Sequence, residues 1–511
     1  MITFYNTKKE YNHDLYTLGK AFNYSDIAKV TNIEESSTEN IKASIANSKN
    51  LDLKEKTKSP NIIIFVIQKE DQIDVEGFLD YKKTFSLTKN ISFYDKKLYR
   101  NLLKRLVYSC LSNLTKKTLQ WGTLTGVSPT KIILQMLEEQ KKEEKIIEYM
   151  KEQYYCSDEK INLSLQVAKK ELTLLNTIDY KNGYSLYIGI PFCPSTCLYC
   201  SFASYPLEKF KEEVEKYLQA LMKEISFAAS CFRDKKLSTI YIGGGTPTTL
   251  SENQLERLLN HIQNTIDLKD IKEYTVEAGR PDSITLEKLQ ILKRYNVSRI
   301  SINPQTMSQK TLDLIGRKHR VEQIIESFEN ARKVGHNNIN MDIIIGLPGE
   351  NIKDLHHTLN EIDKLQPDGL TVHALAIKRA ARLKIEEDYY KDLKSRDTIK
   401  MNSLTKKYTK EMGYMPYYLY RQKNVENNLE NVGYAKAGKE GLYNILMMED
   451  KQTILALGAG AFTKFVFEEE NRVERVENVK NLKDYIERID EMIERKRNFI
   501  THNLNTIGGI K

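Results

Sequence analysis

The sequence predicts an α/β fold: a partial (β/α)6 barrel, preceded by an α+β domain and followed by a mostly helical region. Three observations predict it. Short apolar, β-branched runs recur six times between residues 185 and 375. Amphipathic stretches of helical period separate them. The segments on either side lack that alternation, which sets provisional boundaries at 1–165, 180–379 and 380–511.

Residues 1–60 are polar and read as short elements with a loose connection, ESSTENIKASIANSKN, at 35–50. NIIIFVIQ (61–68) has the continuous apolar character of a buried strand. LYRNLLKRLVYSCLSNL (98–114) follows with helical periodicity, and Gly126 and Pro129 punctuate a turn before a second helix. The charged stretch EEQKKEEKIIEYMKEQ (138–153) reads as a solvated linker helix. The barrel runs are SLYIGI (185–190), LSTIYIGG (237–244), KEYTVEA (272–278), SRISIN (298–303), INMDIIIG (339–346) and GLTVHAL (369–375). Between them lie helical patterns such as FKEEVEKYLQALMKEI and VEQIIESFENARKV. In parallel sheets of this kind ligands bind beyond the carboxyl ends of the strands.

That end of the first run carries PFCPSTCLYC (191–200), with three of the chain's six cysteines. No fourth Cys or His lies nearby, so the spacing Cys193-x3-Cys197-x2-Cys200 is incomplete for a zinc ribbon. It suits a 4Fe–4S cluster that keeps one iron open. The remaining thiols, Cys110, Cys156 and Cys231, are dispersed and read as small core residues. The net charge of +9 comes from interspersed Lys/Arg and Asp/Glu, so a nucleic-acid partner is not expected. With no run of 18 apolar residues and no charged-then-apolar leader, the expectation is a cytoplasmic protein with no membrane partner.

Other residues at strand ends have two readings. GGGTPT (243–248) is a tight turn or a backbone approach to a ligand. Glu277 is a rim carboxylate or a hydrogen-bond acceptor for an amino or hydroxyl group. Arg317 is a surface residue or a fork for a carboxylate. His319 and His373 read as structural hydrogen-bond partners.

The cysteine spacing after the first strand resembles the radical S-adenosylmethionine (SAM) superfamily. The longer strings YIGIPFCPSTCLYCSF, IYIGGGTPTTL, TVEAGRPDSI, ISINPQTM, LIGRKH and NMDIIIGLPGE resemble the oxygen-independent coproporphyrinogen III oxidase group. HALAIKRAARL and YRQKNVENNLENVGYAK are similar to its longer branch, coproporphyrinogen dehydrogenase HemZ, which also has an N-terminal extension. The resemblance covers about 180–470 and implies a radical-SAM barrel with Cys193, Cys197 and Cys200 on a 4Fe–4S cluster. It implies SAM contacts from Tyr187, Tyr199, Gly244, Gly245, Thr246, Glu277, Gln305, Arg317, Asp342 and Ala376, with Phe462 a weaker one. The activity it implies is oxidative decarboxylation of two propionates of coproporphyrinogen III to vinyls, giving protoporphyrinogen IX in haem biosynthesis. Implied partners are that tetrapyrrole or haem, an electron donor such as flavodoxin or ferredoxin, and an unknown electron acceptor. Lys378, Arg379 and Arg382 are candidate partners for the substrate carboxylates. Rival readings are a haem-binding or haem-delivery protein, another radical-SAM reaction on a tetrapyrrole and, lowest, RNA modification. One departure stands out: relatives usually carry His where this chain has Gly189.

Overall fold

The computed structural model describes residues 1–22, 28–47, 61–91, 95–126, 128–201, 204–233, 235–377, 381–385, 397–422, 425–468 and 470–503. Contacts divide the chain into two units: Met1–Gln166 with Arg421–Leu429, and Val167–Tyr420 with Glu430–Lys511.

In the first unit, β1 (Ile2–Asn6), β2 (Ala28–Asn32), β3 (Ile62–Gln68), β4 (Gln72–Leu79) and β5 (Lys82–Asn90) form a mixed sheet in the order β2-β1-β3-β4-β5. The apolar run of β3 is buried along its whole length, as a central strand requires. The helix Lys96–Thr115 starts where the Asp95 carboxylate accepts from the Lys97 and Leu98 amides. Its Leu103, Leu106, Val107, Cys110 and Leu111 share a core with Ile2, Phe4, Ile64 and Val66. Two local expectations change. The connection at 35–50 contains a helix, Thr38–Asn47. The charged linker is a helix at Glu143–Tyr154 whose Ile146, Met150 and Tyr154 are buried, so its apolar stripe outweighs its charge content.

The second unit is built on an eleven-stranded sheet. Its strands are β6 (Gly183–Ile190), β9 (Lys236–Gly244), β10 (Glu273–Gly279), β11 (Arg299–Gln305), β12 (Ile339–Ile345), β13 (Gly369–Ala374), β14 (Met415–Arg421), β15 (Glu430–Ala435), β16 (Thr453–Leu457), β17 (Phe462–Phe467) and β18 (Arg472–Glu477). A separate two-residue pair, β7 (Phe192–Cys193) and β8 (Tyr205–Pro206), lies beside the cysteine loop. The six predicted barrel strands pair in parallel in chain order, β6-β9-β10-β11-β12-β13. Three of the helices between them begin at side-chain caps. Ser251 forms a capping box with Gln254, Thr285 accepts from Lys288 N, and Asn351 caps Ile352–Leu365.

The C-terminal region carries the expected helices and also strands that cover both edges of the parallel array. β15 runs antiparallel along β13, and β16 runs parallel along β6. On β15, a Cβ at Gly433 would meet the Tyr418 ring at 1.9 Å. Gly433→Ala is therefore expected to cost about 1–3 kcal/mol through overpacking, read as a lower urea midpoint at unchanged slope. Among the described residues no helix is long and apolar enough to cross a membrane.

Candidate active site

The carboxyl ends of β6, β9, β10, β11 and β12 gather most of the expected site residues. Directly after β6 the chain turns through the cysteine loop, which is tied down by backbone bonds from Leu198 N to Ile315 O (2.9 Å) and Cys200 N to Cys197 O (3.1 Å). Cys197 is buried, while Cys193 and Cys200 are half-buried. Burial pushes the Cys193 thiol up to about 12, and proximity to Cys200 and Cys197 adds to the rise. The loop thus holds three thiols within electrostatic reach of one another. Among the described residues no three His, Cys, Asp or Glu side chains converge as ligands of a single ion. A cubane whose irons each take one thiolate does not require that convergence.

The turn after β9 folds over this loop. Gly244 has φ +107, a conformation that favours glycine, and Gly245 N donates to Ile190 O at 2.8 Å. A Cβ at Gly245 would lie 2.5 Å from Phe192 O. Thr246 N donates to Phe192 O at 2.8 Å, and its hydroxyl reaches Cys193 Sγ at 3.7 Å.

Glu277, near the end of β10, accepts from the Tyr241 hydroxyl at 2.5 Å. Burial, then the nearby Asp342 carboxylate, outweigh that bond and bring its carboxyl up to about 7. A carboxyl raised in the folded state contributes stability that is full below its ordinary range and lost as pH rises through about 7. Between pH 5 and 7 the unfolding free energy should therefore fall with pH, and Glu277→Gln should flatten that slope in urea titrations at several pH values.

Gln305 ends β11 with φ +68, and its buried Oε1 has no hydrogen-bond partner. Arg317 is buried; its Nη1 donates to Asn303 O (2.5 Å) and Pro304 O (3.2 Å), while Nε has no partner. Its guanidinium also lies against Cys197 and Tyr199. Asp342 on β12 accepts from Asn340 at 2.7 Å and faces His373 Nε2 at 3.8 Å. Burial alone would raise its pKa, but the His373 interaction and bonds from Asn340 and Thr371 hold it below the usual carboxylate range.

Tyr187 packs toward the glycine turn, with its hydroxyl 3.0 Å from where a Gly244 Cβ would stand. Tyr199 sits between the second and third cysteines, its hydroxyl proton held tightly by burial. Ala376 lies two residues past β13 and is half-buried. Phe462, by contrast, starts β17 near the other edge of the sheet and is 43% exposed. Gly189 packs under β16, where a Cβ would come 3.3 Å from Leu457 O. Lys378 and Arg379 lie outside the described residues; Arg382 is exposed. His373 bonds Tyr420 at 3.1 Å, as a structural histidine would, whereas His319 is fully buried with neither ring nitrogen bonded.

The structure adds residues that sequence reasoning did not single out. Tyr241 orients Glu277 and stacks on Tyr443 at 4.6 Å. Arg280, within the TVEAGRPDSI string, reaches the cysteine loop through Ser195. The Arg-x-Asp pair in that string was its only available signal.

A thiol trio, a glycine cradle, and unbonded buried polar atoms on Gln305 and Arg317 make a donor set that fits a cluster with a polar amino-acid-like ligand. Comparison with known proteins agrees. The Radical SAM superfamily model matches residues 187–362. The oxygen-independent coproporphyrinogen-III oxidase-like protein HemZ of Bacillus subtilis is 40% identical over 82% of each chain. Heme chaperone HemW of the same organism is 34% identical over 54% of this chain and 70% of its own. The solved structure of coproporphyrinogen III oxidase HemN from Escherichia coli has the same fold, with TM-score 0.50 and 24% identity over 63% of this chain and 72% of its own. The chain belongs to the radical SAM superfamily, within the oxygen-independent coproporphyrinogen-III oxidase-like group that includes HemZ.

Proposed function

We propose that this chain is the oxygen-independent oxidase that converts two propionates of coproporphyrinogen III to vinyls. The observation that carries the reading is the meeting of the cysteine loop, the glycine turn, Glu277, Gln305 and Arg317 at one end of six parallel strands. Radical SAM proteins use a 4Fe–4S cluster and SAM, and these are the cofactors of this chain. When bound, they supply a primary carbon radical able to take a hydrogen atom from an unactivated C–H bond, which no side-chain base could remove as a proton.

The residues divide that work. Cys193, Cys197 and Cys200 hold the cluster. Gly244, Gly245 and Thr246 offer backbone where a Cβ would block approach. Glu277, oriented by Tyr241, accepts from the SAM amino group or a ribose hydroxyl. Arg317 and Gln305 meet polar groups with atoms that are otherwise unbonded. Asp342, Tyr187, Tyr199 and Ala376 complete the surround. In domain terms, 180–379 is the catalytic barrel, 380–511 its oxidase-like extension and 1–165 a separate α+β domain. Each propionate loses a hydrogen atom, carbon dioxide and one electron on becoming a vinyl, so an electron acceptor is part of the reaction. A reduced flavodoxin or ferredoxin is the class of donor that would recharge the cluster.

The likeness to a protein named as a heme chaperone favours a second reading, haem carriage. The test is anaerobic reconstitution with iron and sulfide, then SAM, reductant, an electron acceptor and coproporphyrinogen III. 5′-Deoxyadenosine appearing with a divinyl product supports the oxidase. Deoxyadenosine without a vinyl product refutes this substrate, and a stoichiometric haem absorbance shift without decarboxylation favours carriage.

A further inference from the structure

Arg280 opens the short turn Pro281–Ser283 that follows β10, and it is only 3% exposed. Its fork is fully used. Nε and Nη2 bind the Asp282 carboxylate at 3.0 and 2.6 Å. Nη1 donates to Ser195 Oγ at 2.7 Å and Ser195 O at 3.1 Å, and it reaches Cys197 Sγ at 3.9 Å. Ser195 in turn donates to Gly316 O at 3.2 Å, so one buried cation links the turn after β10 to the middle of the cysteine loop.

The sulfurs are therefore unequal. Cys193 meets a neutral hydroxyl, that of Thr246, whereas Cys197 faces the Arg280 guanidinium and also lies against that of Arg317. A desolvated positive charge and N–H groups directed at cluster sulfurs stabilise an added electron, so they raise a cluster's reduction potential. Asp282 lies on the Nε side of the same guanidinium and offsets part of that charge. The outcome is an oriented ion pair with its positive end toward Cys197.

We propose that Arg280 is a positioning residue for the cluster: it fixes the cysteine loop through Ser195 and biases the cluster toward its reduced state through Cys197. The assignment rests on the reading that Cys193, Cys197 and Cys200 hold that cluster. It differs from the part given to Arg317, whose unbonded Nε leaves capacity for a ligand.

The test is a potentiometric titration of the full-length, anaerobically reconstituted chain, followed by electron paramagnetic resonance with a chemical reductant as the source of the single electron. Arg280→Gln should weaken reduction about tenfold, a shift of about 59 mV to lower potential for one electron. Arg280→Lys keeps a charge but loses the fork, and it should fall between Gln and wild type. Asp282→Asn removes the offsetting charge and should move the potential upward. If Arg280→Gln binds too little iron to titrate, the other two variants decide. An Asp282→Asn potential at or below wild type overturns the proposal, as does a full-iron Arg280→Gln with wild-type potential. A wild type that takes up no cluster overturns this inference together with the reading beneath it, whereas a wild-type cluster whose potential ignores both charges overturns this inference alone.

Discussion

Replacing any one of Cys193, Cys197 and Cys200 by Ala should abolish SAM cleavage and remove the brown iron–sulfur absorbance, while the folded content stays near wild type. The expected size follows from rank among ligands. Loss of an outer-shell partner typically costs about 10–100-fold in affinity or activity, so loss of a direct sulfur ligand should exceed about 100-fold. The fold should survive because the loop is held by other bonds, notably Leu198 N to Ile315 O and Ser195 Oγ to Gly316 O. Cys231→Ala is the matched control, since that thiol is half-buried on the helix Glu213–Cys231, outside the cysteine loop. The measurement is 5′-deoxyadenosine formed per protein, paired with iron content and circular dichroism. Retained cleavage in any of the three loop variants would contradict the site.

Lys496→Met should be the most destabilising single change outside the site. Lys496 and Glu224 are both fully buried and bonded at 2.7 Å. Around them Gly458 N, Tyr485 Oη and Asn478 Nδ2 also donate to the Glu224 carboxylate, at 2.8, 2.6 and 2.8 Å. One carboxylate thus fastens the helix Glu213–Cys231 to the loop after β16, the segment after β18 and the final helix, Ile489–His502. Removing the ammonium leaves a buried carboxylate without its counter-charge, which costs about 3–5 kcal/mol. Glu224→Gln combined with Lys496→Met should recover part of this, because the amide oxygen can still accept while no charge remains. The check is the unfolding midpoint of the unit that contains these residues, compared for single and double variants. A single variant within about 1 kcal/mol of wild type would show that the network is not load-sharing as described.

The barrel was legible because its strands are covered on both faces. Runs such as IYIGG and the III that ends INMDIII are continuous and apolar, and helices between them keep a clean period with side-chain caps at Ser251, Thr285 and Asn351. The C-terminal strands were not legible. YMPYYLYRQKN reads as a Tyr-rich patch, yet most of it becomes β14, the edge strand beside β15. The same limit applied within the site. The three cysteines and the glycine turn announce themselves locally. Tyr443 joins only because α/β closure brings it onto Tyr241, about 200 residues earlier in the chain, and Arg280 acquires meaning only when its turn meets Ser195. Phe462 starts β17, which the sheet order sets two strands beyond β6 with β16 between them.

On the proposed reading, three sulfurs of one loop carry a cluster with a coordination position left for SAM. Electron paramagnetic resonance of the reduced, oxygen-protected full-length protein, recorded with and without SAM, tests it most directly. One 4Fe–4S signal per chain is expected, with g-values that shift when SAM is added. A protein that binds no iron, or a cluster signal that SAM leaves unchanged, would contradict it.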